Sequence, residues 1–401
     1  MKHATTKASA LALMVLPLAS PAWAQGRSVD LRVGIRTIYD SNVTRSASSV
    51  TGNLQRSNWR LLPNITANMS IPFGRHSFSL TGLVGYDINL NNNGLNRERI
   101  SLIPSMNFST PRCNATVSGN FSRNQSDYGA YDRVTGNFAS GSVKNVETLA
   151  SVNASGGCGA TVGFRPVVGA GYSRASNSNI VRQRNDRDSV NYMGGIAYTH
   201  PLVGNAQIFV SRSETRFDNR PLPTGGQSGY NSTSYGASFS RNIGSKLTAS
   251  AQASYTKVDS RSTQVGGSSG LNWSVDLSAN VIPRMQVSTQ LSRRFSSSLA
   301  VDSVYNRETT YGVAANYALT PRTQVQGSYT YRTRKFYGFQ AVTGAPSINS
   351  DQSQQASIGV THTLNRRMSL NLRGGRSKRT AKGGFYDYTS YVGEAGLDFK
   401  F

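Results

Sequence analysis

The chain has 401 residues, is 37% hydrophobic and only 15% charged, and carries 39 glycines and a net charge of +24. That is too little apolar matter for an ordinary soluble core of this length, and too little charge for a typical disordered chain. A large β-barrel resolves the conflict, because its lumen can be polar and only its outer face need be apolar. A secreted β-solenoid is the rival; it would show repeats of about 20 to 30 residues and ladders of like side chains, and neither is evident.

In chain order, Lys2, His3 and Lys7 form a positive n-region, Ala8 to Ala19 a short apolar run, and Ala22-Trp23-Ala24 a small-x-small cleavage site. The pattern predicts a secretory signal peptide over residues 1–24, too short and wrongly flanked for a membrane anchor. No cysteine follows the cleavage site to take a lipid, and no later stretch is long and apolar enough for a spanning helix. Residues 25–401 are expected to form a single outer-membrane β-barrel.

Short turn signals then recur about 40 residues apart, as expected for tight turns between successive hairpins. They lie at Pro72-Phe73-Gly74, Thr110-Pro111-Arg112, Gly156-Gly157, Pro201 to Asn205, Asn242-Ile243-Gly244, Ile282-Pro283-Arg284, Thr320-Pro321-Arg322 and Asn365-Arg366-Arg367. Longer polar segments alternate with them: Asn89 to Asn96, Asn124 to Lys144, Ser173 to Asp188, Asp218 to Gly229 and Lys335 to Ser350. Short turns at one end and long loops at the other give the periplasmic and extracellular ends of such a barrel. The segments between alternate strictly, as in Phe78, Leu80, Gly82, Val84, Tyr86, Ile88 and in Leu271, Trp273, Val275, Leu277, Ala279, Val281. One strand on each side of every turn, plus Val29 to Tyr39 and the terminal strand, makes about eighteen, with sixteen as the fallback and both termini periplasmic. The weakest strand signal is Ala206 to Phe217, where Ile208 and Val210 give way to Arg212 and Glu214.

Parity assigns the charges to faces. Arg32, Arg36, Arg60, Arg99, Arg165, Arg294, Arg332, Arg334 and Arg373 alternate with apolar residues and are expected to line the lumen. The inward acids that can be placed are fewer: Asp30, Asp87, Asp276, Glu394 and Asp398. An arginine-lined lumen favours an anionic permeant. The alternative is that these charges form ion-pair ladders that only stiffen the barrel. Arg123, Arg174, Lys257 and Arg293 have lipid-face parity at the upper strand ends. There they would meet lipopolysaccharide phosphates, since a cation at mid-bilayer costs about 2 to 4 kcal/mol. Basic residues scattered along the strands of a secreted chain are a poor nucleic-acid surface.

Chemistry finds little support. His76, His200 and His362 each lie near an expected periplasmic strand end, so none stands beside an extracellular nucleophile. Two cysteines and scattered histidines give no metal-ligand spacing, and the Asn91-Asn92-Asn93-Gly94 loop lacks the carboxylates of a strong calcium site. Neither an enzyme nor a cofactor is expected. The cysteines, Cys113 and Cys158, occupy corresponding places beside two short turns. A hairpin closing near Thr135-Gly136 would bring them level at the periplasmic rim, where opposed Cα atoms lie about 4.5 to 5.5 Å apart, close enough for a disulfide in an oxidising compartment. Two small buried thiols would be the alternative.

The last stretch, Tyr391 to Phe401, puts Tyr391, Gly393, Ala395, Leu397, Phe399 and Phe401 on one side and polar residues on the other. Its Glu394, Gly396, Phe399 and Phe401 resemble the C-terminal signal read by the barrel-assembly machinery of bacterial outer membranes. The turn-flanking segments Leu319 to Val325, Val281 to Val287 and Leu364 to Leu370, with Tyr39 to Val43, resemble the β-barrel porin 2 family. That resemblance implies association with exopolysaccharide or capsule export, and with periplasmic export components as partners; no catalytic residue carries over. The expected function is passage of an anionic polysaccharide or other anionic solute. A general diffusion porin for small nutrients and a plugged structural or adhesive barrel are the alternatives.

Overall fold

The computed structural model describes residues 26–43, 45, 55–125, 145–180, 182–222, 226–261, 266–296, 304–337, 349–381 and 387–401. The expected signal peptide with His3, the hairpin tip at Thr135-Gly136, and most of the expected loops 124–144 and 335–350 lie outside them.

Eighteen strands form one antiparallel sheet that closes on itself. They are β1 (Ser28–Asp40), β2 (Asn58–Phe73), β3 (His76–Asn89), β4 (Arg97–Ser109), β5 (Cys113–Gln125), β6 (Val146–Cys158), β7 (Gly163–Asn177), β8 (Arg187–His200) and β9 (Gly204–Pro221). The second half comprises β10 (Gln227–Ile243), β11 (Leu247–Ser260), β12 (Ser268–Ile282), β13 (Met285–Ser296), β14 (Tyr305–Thr320), β15 (Thr323–Tyr337), β16 (Ser350–Thr363), β17 (Met368–Ala381) and β18 (Tyr388–Lys400). Each strand pairs with its neighbours in sequence. Closure comes from β1 and β18, in register from Arg32 opposite Lys400 to Asp40 opposite Val392. A closed ladder leaves no unpaired edge, which is what lets strands cross a hydrocarbon layer.

Alternation decides the two faces. On β1, Val29, Leu31, Val33 and Ile35 are all exposed on the outside, while Arg32 and Arg36 take the other side. Exposed Tyr86, Tyr172, Tyr192, Tyr235, Tyr255 and Tyr311 sit outward toward the loop ends of their strands, where amphipathic rings suit a membrane interface. The turn ends are tight. Gly74 and Gly244 adopt φ of 63° and 62°, which a side chain would resist.

The loop ends are held by asparagine. Asn58 donates to Asn89, whose backbone N–H donates to Asn96, and Asn145 donates to Asn177. All of these but the half-buried Asn96 are buried, and they satisfy loop backbone that has no strand partner. Two expected loops are shorter than the polarity of their sequence implied. Ser173 to Asp188 is strand as far as Asn177 and again from Arg187; Asp218 to Gly229 is strand to Pro221 and from Gln227. A barrel strand can continue beyond the apolar belt with polar side chains on both faces, so hydropathy ends before hydrogen bonding does. The same physics makes the weakest expected strand, β9, the longest of all at 18 residues.

Cys113 and Cys158 are paired in register between β5 and β6 and form a disulfide, with Cα atoms 4.0 Å apart. The bond ties the turn end of this hairpin, where Gly159 N–H also donates to the Arg112 carbonyl. The terminal strand runs through Glu394, Gly396 and Phe399 as part of β18. Phe399 and Phe401 meet edge to face at 5.1 Å, and Phe401 N–H donates to the Leu31 carbonyl across the seam.

Candidate functional site

The side opposite the apolar face is the inner wall, and it has two unlike halves. From β5 to β12 it presents mostly hydroxyls and amides. Thr116, Ser118 and Asn120 are on β5, Ser151 and Asn153 on β6, Ser232 and Ser234 on β10, and Thr248, Ser250 and Gln252 on β11. Charges on this half are sparse: Glu147, Arg165, Arg187 and Asp276. From β13 through β18 and on to β4 the inner wall is rich in arginine.

The register places all nine arginines named from the sequence on the inner side, and it adds to them Arg97, Arg187, Arg379 and Lys400. It also corrects the expected shortage of acids, since Asp40, Glu147, Glu308 and Asp351 share that side too. Alternation carried the whole length of each strand would have found two of these: Glu308 lies opposite in parity to Tyr311 and Val313, and Asp351 to Ile358.

These acids do not simply cancel the arginines, because four carboxylates each hold two cations. Asp30 pairs with Arg32 at 2.8 Å and Lys400 at 2.9 Å; Asp87 with Arg60 at 3.3 Å and Arg99 at 3.2 Å. Glu308 pairs with Arg294 at 3.4 Å and Arg332 at 3.8 Å; Asp351 with Arg334 at 2.5 Å and Arg379 at 2.6 Å. Each group of three keeps one net positive charge. Within it, the carboxylate separates two guanidinium or ammonium groups that would otherwise repel. Neighbouring strands make this possible: Arg294 and Glu308 are directly opposed between β13 and β14, and Arg332 reaches Glu308 diagonally from its place opposite Thr310 between β14 and β15.

Arg36 and Glu394 form a simple pair at 3.5 Å across the seam. Gly396 stands in register with Arg36, and a Cβ there would meet the Arg36 side chain at 3.0 Å. The glycine of the terminal pattern thus lets an inner arginine lie across it.

Two of the nine arginines have no ion pair among the described residues. Arg165, near the turn end of β7, has none. Arg373 on β17 donates only to the Ser357 hydroxyl, at 3.2 Å, although it stands opposite Glu394 in register. Arg373 lies in a hollow of about 240 Å³ lined also by Ser328, Thr330, Gln355, Ser377 and Glu394. This hollow adjoins a second one of about 390 Å³ that shares Ser328 and Thr330 and reaches Asp276. The result is a continuous inner surface of hydroxyl and amide groups, bounded by the Asp276 and Glu394 carboxylates, with the exposed Arg373 guanidinium at its edge. Such a surface offers an anion a charge and several neutral hydrogen-bonding groups at once.

At the loop end, Phe217, Tyr230, Val258, Val304 and Tyr305 form a buried cluster, against which Phe295 and Tyr337 pack. Tyr305 stacks on Tyr337 at 5.0 Å and its hydroxyl donates to the Gly266 carbonyl. The sequence reading missed this cluster, because its members come from β9, β10, β11 and β13–β15 with no local periodicity. In the nearby loop between β7 and β8, burial pushes the Asp186 carboxyl above the ordinary carboxylate range, against the hydrogen bonds it accepts from Asn177.

Of the outward set, Arg123 pairs with Glu98 at 2.6 Å, Lys257 with Asp259 at 3.2 Å, and Arg174 with Asp188 at 3.8 Å and Asp218 at 3.9 Å. Arg293 stands opposite Trp273 on the same outer face. His76, His200 and His362 lie near the turn ends, where the His76 and His200 rings accept backbone N–H groups.

No protein-family model and no curated protein matches the sequence. Among solved structures, the chain is similar to OccK2 (OpdF) of Pseudomonas aeruginosa in complex with glucuronate, at 11% identity and a TM-score of 0.47, over 94% of this chain and 98% of that one. It is similar to OpdK of the same organism, solved with vanillate, at 12% identity and a TM-score of 0.46, over 93% and 99%. A BenF-like porin from Pseudomonas fluorescens Pf-5 is similar at 11% identity and a TM-score of 0.47, over 94% and 100%. Likeness at this level passes no function to the chain.

Proposed function

We propose that the protein is a channel of the Gram-negative outer membrane, with both termini in the periplasm, that passes anionic solutes through its arginine-rich lumen. The observation that carries this reading is the inner wall itself. Four carboxylates each shared by two cations leave a surplus of positive charge, and Arg373 stands without an acid partner beside a run of hydroxyls. Fixed charges lining a water-filled pore raise the local concentration of the opposite ion and so bias its passage. A barrel of eighteen strands is wide enough for an aqueous channel.

Export of an anionic polysaccharide is the finer reading, and it rests on the porin 2 resemblance. The lumen features that favour anions serve a small solute and a chain alike, so diffusion of small nutrients fits them equally. A plugged structural barrel is the second reading, supported by the aromatic cluster at the loop end.

Liposome swelling with solutes of one size separates these readings. Gluconate is expected to enter faster than glucose, and glucose faster than glucosamine. Equal rates for all three would overturn anion preference in favour of general diffusion, and no entry of any would favour the plugged barrel.

A further inference from the structure

The outer face of β7–β12 carries a feature that solute passage does not use. Below, toward the turn ends, is a groove of about 690 Å³ in the apolar surface. Its floor carries the small side chains Ala206, Ala237, Ala251 and Ala253 with Ile208 and Phe239 standing among them, and its walls are Phe164 and Tyr198 on one side and Trp273 on the other. The two wall rings Phe164 and Tyr198 pack at 4.8 Å, which keeps that side of the groove upright. Four alanines on three adjacent strands, around the rings of Phe239 and of the margins, leave a trough where most of a barrel's lipid face is convex.

Above the groove, on the same outer face and the same strands, stands a cluster of cations. Arg212 follows Ile208 by four residues along β9, about 13 Å at the rise of an extended strand. Arg212, Arg216 and Arg261 all converge on one carboxylate, Glu214, at 3.1, 3.6 and 3.4 Å. One acid cannot neutralise three guanidiniums, and the exposures show which groups face outward. Arg212 and Arg216 are 58% and 56% exposed whereas Glu214 is 28% exposed beneath them, and Lys257, 66% exposed, stands beside the exposed Asp259. Cations on the lipid side cost about 2 to 4 kcal/mol at mid-bilayer and are relieved near an anionic interface.

We infer that this groove and the cations above it form a binding site for one molecule of a diphosphorylated acyl lipid of the outer leaflet, its chains along the alanine floor and a phosphate on Arg212, Arg216 and Lys257. A second copy of the barrel fits less well, because it would have to bring free carboxylates to these cations. Among the described residues, the outward acids at this level, Glu98, Asp188, Glu214, Asp218 and Asp259, are already paired within the chain.

The test is native mass spectrometry of the purified barrel in detergent after addition of bisphosphorylated lipid A, with dephosphorylated lipid A and phosphatidylglycerol as comparators. Two variants are carried alongside: the triple substitution R212Q/R216Q/K257Q, and A253W, which fills the groove. Heat-modifiable migration and single-channel conductance, neither of which depends on these residues, show that each variant has folded. The expected result is one retained lipid A per wild-type barrel, loss of retention in both folded variants, and weaker retention of the two comparators. No retention by the wild type, or equal retention by wild type and variants, would overturn the inference. So would a mass of two barrels that A253W abolishes, which would assign the groove to a second copy.

Discussion

The two halves of the inner wall are made of antiparallel strands with the same alternation, yet they solve polarity differently. From β5 to β12 the wall is lined by Ser, Thr, Asn and Gln, which satisfy one another as in the Ser234 to Thr256 and Asn272 to Thr256 hydrogen bonds. From β13 through the seam to β4 it is lined by arginines, most of which meet an acid on a neighbouring strand. The neutral half needs no partner in register, because a hydroxyl can turn to whatever is near or to water. The charged half does need one where a guanidinium is buried, as Arg334 and Arg379 are beside Asp351. The ion pairs therefore hold the wall together and, being two cations to one acid, also charge it.

The largest expected effect separates the halves by stability. Asp351 is 1% exposed, between Arg334 at 11% and Arg379 at 4%. Asp351→Asn removes the carboxylate that these two buried guanidiniums share, and removing one partner of a buried pair costs about 3 to 5 kcal/mol. The temperature at which the folded band disappears in heat-modifiability gels should fall clearly. Ser274→Ala on the neutral half should leave it in place, since such changes cost within about 0.5 kcal/mol. An equal fall for both would mean that the charged half is not held by its acids.

Glu308→Gln sharpens the contrast inside the charged half. Arg294 is 67% exposed, so this group of three is wet and contributes about 0 to 1 kcal/mol. Stability should hardly move, while anion preference in a planar bilayer should rise because one inner negative charge is lost. Unchanged selectivity would show that this group lies off the permeation path. The smallest effect is expected from Arg165→Gln. Arg165 stands alone among neutral groups near the turn end, and its loss should lower anion preference less than loss of Arg373 does.

Much of this was legible in the sequence, and the reason is the period of two. It gave the eighteen strands, the short turns and the register that joins Cys113 to Cys158. Alternation is a local property, and a barrel is built almost wholly of local pairings. What alternation could not give was who meets whom between strands that differ in length and polarity. Asp351 and Arg379 are paired by a register read only once β16 and β17 are aligned. The aromatic cluster around Tyr305 joins strands far apart in sequence, and β9 was faint because its upper outer face is charged. The asparagines looked like loop polarity and prove to be the clasps of the loop ends.

The central claim is that the inner wall carries a positive surplus felt by permeating ions, with Arg373 a member that has no ion pair among the described residues. Reversal potentials of the purified barrel in a planar bilayer under a potassium chloride gradient test it most directly, for the wild type and for Arg373→Gln. A reversal potential displaced toward that of chloride in the wild type, and a smaller displacement in Arg373→Gln, is the predicted result. A potential displaced toward that of potassium, or the absence of any conductance, would contradict the account.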